Sequence, residues 1–171
     1  MKLPRAVYAI WISFDKKTWT LIGKDTDSLA MALNPEVNTK QNVLGETIVE
    51  HSGFKPELAL DNYIAKTEDA IYENIRGIAM NRLSDEASTS AYMLEAILTD
   101  EVYKSDTVTL TGDAWIEDVI IVPQEYGKDM TGFAIPFNVH MNGNRRKGTV
   151  SVTKREPTFT EGTEGESETV E

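Results

Sequence analysis

Between Phe133 and Thr153 apolar and polar side chains alternate on both sides of an Asn-Gly pair, in the run FAIPFNVHMNGNRRKGTVSVT. A period of two belongs to an extended strand with one buried face, and Asn-Gly readily takes the positive φ angles that tight antiparallel turns demand. The segment therefore predicts a β-hairpin turning at Asn142 and Gly143. Its implied register sets Met141 against Asn144, Val139 against Arg146, Phe137 against Gly148 and Ile135 against Val150. In that register Val139 and Met141 carry an apolar face beyond the partners that could bury with them, and Pro136 offers no N–H to a further strand. The expectation is an edge strand with an overhanging tip, on which Arg145, Arg146 and Lys147 stand together. They either protect the edge from pairing or dock on another copy.

Elsewhere the pattern is mostly that of strands. TWTLIG, SLAMAL, SAYMLEAIL, DTVTLTGD and AWIEDVIIV are of strand length and bounded by turn residues. One helix is expected around residues 67–83, with Thr67 as its cap and Ile71, Ile75, Ile78 and Ala79 on one face. The stretch near 34–56, NPEVNTKQNVLGETIVEHSGFKP, is interrupted by Pro35, Gly45, Gly53 and Pro56. It reads as a long loop with a short strand around Thr47 to Glu50 and another from Glu57 to Leu60. Connections of that length inside a compact domain are commonly functional.

The 171 residues suit one domain. The formal net charge of −11 argues against a phosphate-binding face. Residues 156–171 hold six glutamates and no cation, and subtracting them from −11 leaves −5 on residues 1–155. That segment reads as an acidic disordered tail, with the folded domain ending near Arg155. There is no cysteine, which removes disulfides and thiolate chemistry together. No apolar run approaches the ~20 residues of a membrane-spanning helix, and the apolar stretch before Asp15 lacks the small-residue cleavage site of a secretion signal.

Signatures of chemistry are few. His51 and His140 are far apart and in no metal-ligand spacing, and no serine elbow or phosphate loop is present. Asp25, Asp27 and Glu36 have the outer spacing of a calcium loop, but Leu29 and Ala30 occupy a required ligand position and the turn-glycine position. Glu117 and Asp118 are adjacent in a strand and point to opposite faces, so they do not form an acid–base pair. No catalytic residue, cofactor or metal is expected. A carbohydrate or small-molecule binding β-sandwich module is the alternative reading, with Trp11, Trp19 and Trp115 lining its pocket.

The order TWTLIG, SLAMALNPEV, NVLGET, HSGFKPEL, IYENIRGIAMNRL and GTVSVT resembles the tail tube proteins of long-tailed bacteriophages, LGETIVEHSGFKPEL most of all. The resemblance runs over most of residues 15–155. It implies a mainly β fold, a β-sandwich or partly closed barrel with one flanking amphipathic helix, similar to type VI secretion tube proteins. It also implies self-assembly into hexameric rings that stack into a tube, in the virion tail and, during assembly, the host cytoplasm. Implied partners are other copies and the tape-measure, terminator and baseplate or tail-tip proteins, with no membrane, while DNA passes through the lumen without specific binding. Combined with the residue pattern, candidate subunit contacts are Val139, Met141, Arg145, Arg146 and Lys147, and Leu44, Gly45, His51 and Phe54.

Overall fold

A computed structural model describes residues 8–23, 28–61, 63–98 and 109–162. Nine antiparallel strands form one large sheet. Its centre is β7 (Ser90–Leu98) and the fourteen-residue β8 (Leu110–Pro123), paired from Ser90 against Ile120 to Leu98 against Gly112. On the far side of β7 lie β1 (Tyr8–Ser13) and then β2 (Thr20–Leu21). The apolar run YAIWIS of β1 is buried on both faces, as a strand inside a covered sheet requires.

The other edge of β8 is shared. β11 (Phe137–Met141) pairs with its C-terminal half, Val139 against Ile121, and β12 (Arg146–Thr153) with its N-terminal half, Val150 against Gly112. Residues 142–145 bulge between them opposite Glu117 and Asp118. Asn142 N–H donates to Asp118 O and Asp118 N–H to Gly143 O, at 2.8 and 3.1 Å. Gly143 and Asn144 adopt φ of +93° and +55°. Of the expected Asn-Gly pair only Gly143 takes positive φ, the second such residue being Asn144 and not Asn142, and the two form a bulge in one bent strand instead of a hairpin turn.

The sheet forks at this bulge. Beyond β11 come β6 (Glu57–Leu60) and β3 (Met31–Ala32), while beyond β12 comes β13 (Glu156–Glu161). The expected pairing of Phe137 with Gly148 and Val139 with Arg146 is thus replaced, and β11 has a neighbour on each side instead of forming an edge. Pro136 precedes β11 and its carbonyl accepts from Gln124 N–H. Local turn chemistry favoured the hairpin; pairing with β8 and β6 buries Val139 completely and leaves Met141 packed on the core, which the hairpin could not do.

Each branch of the fork has its own core, on opposite faces of the sheet. One face packs Ile10, Ile12, Met93, Val119, Ile121, Phe137, Val139 and Leu58 beneath α1 (Tyr72–Asn81), which contributes Ile75, Ile78 and Ala79. The other packs Trp11, Leu94, Ala96, Leu110, Ala114, Ile116, Val150 and Val152 with Phe159 of β13. The buried side of β8 changes from Ile116 to Val119, at the bulge. Two expected strands, DTVTLTGD and AWIEDVIIV, are continuous from Leu110 onward for that reason; residues before Thr109 in the first lie outside the described set.

The fold is mainly β and sandwich-like, without barrel closure. The helix buries its expected face but begins later than Thr67, after turns in which Asp69 N–H bonds Lys66 O and Tyr72 N–H bonds Asp69 O. It ends at Arg82, whose φ of +51° closes the last turn. A one-turn helix, α2 (Glu86–Thr89), capped by Asp85, leads into β7. The expected boundary near Arg155 falls inside a hairpin, because Pro157 is buried and Phe159 packs on a core, drawing Glu156–Glu161 into the sheet. Residues 163–171 of the expected acidic tail lie outside the described set.

Candidate functional site

The long loop anticipated near 34–56 is a two-stranded arm. β4 (Pro35–Gln41) and β5 (Thr47–Phe54) pair with each other and with no other strand among the described residues. The pairing runs from Pro35 against Phe54 to Gln41 against Thr47, about 20 Å at ~3.4 Å per residue. At its root Lys55 N–H donates to Leu33 O and Asn34 Nδ2 to Lys55 O, so the arm leaves and re-enters the body at one point.

Asn42 builds the tip. Its Oδ1 accepts from the N–H groups of Leu44 and Glu46, its Nδ2 donates to Glu46 Oε2, and Gly45 turns with φ +79°. This holds Val43 and Leu44 outward at 102% and 79% exposure. Val37, Ile48, Val49 and Phe54 are exposed as well. A lone two-stranded hairpin is marginal in water, and apolar residues so presented are characteristic of contact surfaces.

β9 (Gly127–Lys128) and β10 (Phe133–Ala134) form a second, much shorter two-stranded pair. Ile64 bridges to Ala134, so that pair adjoins the body.

The candidate contact residues separate into two groups. Leu44, Gly45, His51 and Phe54 lie on the arm, where the His51 and Phe54 rings meet edge to face at 4.6 Å. Val139 is wholly buried and Met141 packs on the same core. Arg145 turns inward from the bulge, where its guanidinium pairs with Glu95 on β7 and Glu117 on β8, both nearly buried. Arg146 pairs with Glu161 at 3.1 Å, and the Lys147 ammonium lies 5.8 Å from the Trp115 ring centre. The three cations are thus engaged by their own chain, and the expected free basic tip does not form.

The Arg145 cluster joins three strands and the bulge. Tyr8 Oη donates to Glu95 Oε2 at 2.8 Å, so β1, β7, β8 and the bulge are linked through side chains in addition to their backbone pairing. Trp115 lies beside Arg145 on this face, with the guanidinium 5.7 Å from its ring centre. Burial raises the Glu117 pKa and is only partly opposed by the hydrogen bond and charge of Arg145. Tyr8 is raised too, by burial and then by the Glu95 carboxylate. The sequence shows the carboxylates as an ordinary alternating pattern; only the register of β7 on β8 brings Glu95 and Glu117 within reach of one guanidinium.

No group of three or more metal-ligating side chains occurs among the described residues. His140 Nε2 is 3.9 Å from Glu57 Oε1, and His51 stands apart on the arm. The three tryptophans line no common pocket: Trp11 is buried in one core with Trp19 packed against it, and Trp115 is on the opposite sheet face.

No family model and no curated protein matches this chain. Among solved structures the chain is similar to the PVC sheath/tube terminator of an extracellular contractile injection system in the extended state. That likeness has a TM-score of 0.45 and 10% identity, covering 86% of this chain and 96% of the other. It is also similar to a chain of the PVC sheath-tube complex in the extended state, with a TM-score of 0.42, 12% identity and coverages of 88% and 93%.

Proposed function

We propose that this chain is a structural subunit that associates with copies of itself into stacked hexameric rings, forming a tail tube through which DNA passes. The role is architectural and not catalytic. One observation carries this reading: the arm from Pro35 to Phe54 projects two mutually paired strands that no other strand of the described chain covers. A hairpin so placed gains little stability from the body, and contact with another subunit supplies what is missing. The arm also contains most of LGETIVEHSGFKPEL, the stretch on which the resemblance to tail tube proteins chiefly rests.

Engagement of Arg145 and Arg146 by Glu95, Glu117 and Glu161 fits the same role, since cations held by carboxylates bind passing phosphate weakly. The terminator, tape-measure and baseplate or tail-tip proteins of such a tail are the further partners this reading entails. Sedimentation over a range of concentrations, with negative-stain electron microscopy, tests it. Rings or tubes with six-fold end views are expected; a species that stays monomeric at high concentration overturns the proposal.

A further inference from the structure

The two faces of the arm differ in charge, and the difference is set by register. On one face Val37 pairs with His51 and Thr39 with Val49, while Gln41 and Thr47 follow toward the tip. The irregularity after Glu36 brings Phe54 to this same side, where its ring meets His51. No Asp, Glu, Lys or Arg lies on it. On the opposite face Lys40 pairs with Glu50 at 2.8 Å, Glu36 pairs with Lys55 at the root, and Asn38 bonds Ser52, with Ile48 the exposed apolar side chain among them.

Resting on the reading of the arm as the self-association element, we propose that of its two faces the uncharged one makes the contact, and that its occupant is a second copy of this chain. Covering the other face would strip water from ion pairs already satisfied by their partners, at a desolvation cost with little return. The uncharged face has only side-chain hydroxyl, amide and imidazole groups to keep hydrogen-bonded, beside valines and a phenylalanine that gain from burial. Self-association of a chain with net charge −11 also requires a surface on which like charges do not meet, and this face supplies one. A nucleic acid would seek cations, and a strongly basic partner would seek carboxylates; neither is present here. The arm's twenty residues are comparable with the ~20–30 residues that each side contributes to an ordinary stable interface.

Adjacent strand residues point to opposite faces, so neighbouring positions provide matched probes. The chain has no cysteine, and a single introduced thiol reports only on its own site. Val49→Cys and Glu50→Cys sample the two faces of β5, and Thr39→Cys and Lys40→Cys repeat the comparison on β4. Each variant is labelled with a maleimide before and after concentration-driven assembly.

Labelling is expected to be lost on assembly for Val49→Cys and Thr39→Cys and retained for Glu50→Cys and Lys40→Cys. Protection of the charged face, or equal protection of both, overturns the face assignment while leaving self-association standing. Assembly with neither face protected overturns the arm contact itself. A chain that never assembles overturns this inference together with the function on which it rests.

Discussion

Arg145 Nη1 lies 3.0 Å from Glu117 Oε2, and the same guanidinium extends past β8 to Glu95 on β7. A cation that reads as the exposed tip of a ribbon is thereby the counter-ion of two nearly buried carboxylates at the point where the sheet divides. Removing it would leave both carboxylates without a counter-ion, Glu95 keeping only its hydrogen bond from Tyr8. Breaking a fully buried pair typically costs ~3–5 kcal/mol; Arg145 is half-exposed, so Arg145→Ala is expected to cost about 2 kcal/mol. Urea unfolding at pH 7 measures this, and an unchanged midpoint counts against the clasp.

The same cluster predicts a pH dependence with a definite sign. Burial places the Glu117 pKa in the folded protein above its unfolded value. Its stability contribution is therefore fully present below the unfolded pKa and is lost as pH rises through the folded one. Removing Arg145 takes away the groups that lower this pKa, so the deficit of Arg145→Ala should shrink as pH falls from 7 toward 5. Glu117→Gln should flatten the wild-type profile over that interval. A deficit that grows on acidification would contradict the assignment.

Gly148 tests whether β13 is part of the fold. A Cβ added there would meet the Phe159 ring at 2.7 Å, closer than unbonded carbon atoms approach. Gly148→Ala is expected to destabilise by ~1–3 kcal/mol, the usual range for overpacking. Phe159→Ala should destabilise as well, through loss of contacts to Val150 and the core it flanks. If the segment after Arg155 contributed nothing, thermal unfolding would not register either change.

The tight turn joining β12 to β13 is Lys154–Arg155, with φ of +53° and +66° at residues that ordinarily avoid this region. Asparagine tolerates it better. Lys154→Asn should raise stability by a few tenths to ~1 kcal/mol, read as a higher melting temperature.

Because the arm leaves and returns where Lys55 bonds Leu33 and Asn34, a short Gly-Ser link can replace Pro35–Phe54 without distorting the body. The shortened chain is expected to unfold within ~0.5 kcal/mol of the original, as for surface changes that touch no core. It should also fail to assemble. Retained assembly would move the contact elsewhere.

Much of this architecture is legible in the residues. The apolar face of α1, the strand character of SAYMLEAIL and KGTVSVT, and the importance of the 34–56 region follow from periodicity and turn chemistry. The bulge is not legible, since an Asn-Gly-Asn run can place positive φ on Asn142 and Gly143 for a hairpin or on Gly143 and Asn144 for a bulge, and only distant pairing with β8 decides between them. β4 leaves no signal in the sequence because PEVNTKQ buries nothing and so lacks the alternation that marks a strand against a core. β13 was obscured by surrounding glutamates, although Pro157 and Phe159 alternate with Glu and Thr as an edge strand would. The Arg145 cluster joins positions 8, 95, 117 and 145, and no local pattern anticipates such a meeting.

The placement of β1 bears on how the molecule is made. Ile10 and Ile12 belong to one core and Ala9 and Trp11 to the other, while Trp11 Nε1 donates to Arg155 O across 144 positions of chain. A nascent polypeptide leaving the ribosome presents this strand well before Val150, Val152 and Phe159, and the second core cannot close until they arrive. Until then an apolar strand stays available to the wrong partners, so synthesis of this protein is a period in which chaperone protection counts most.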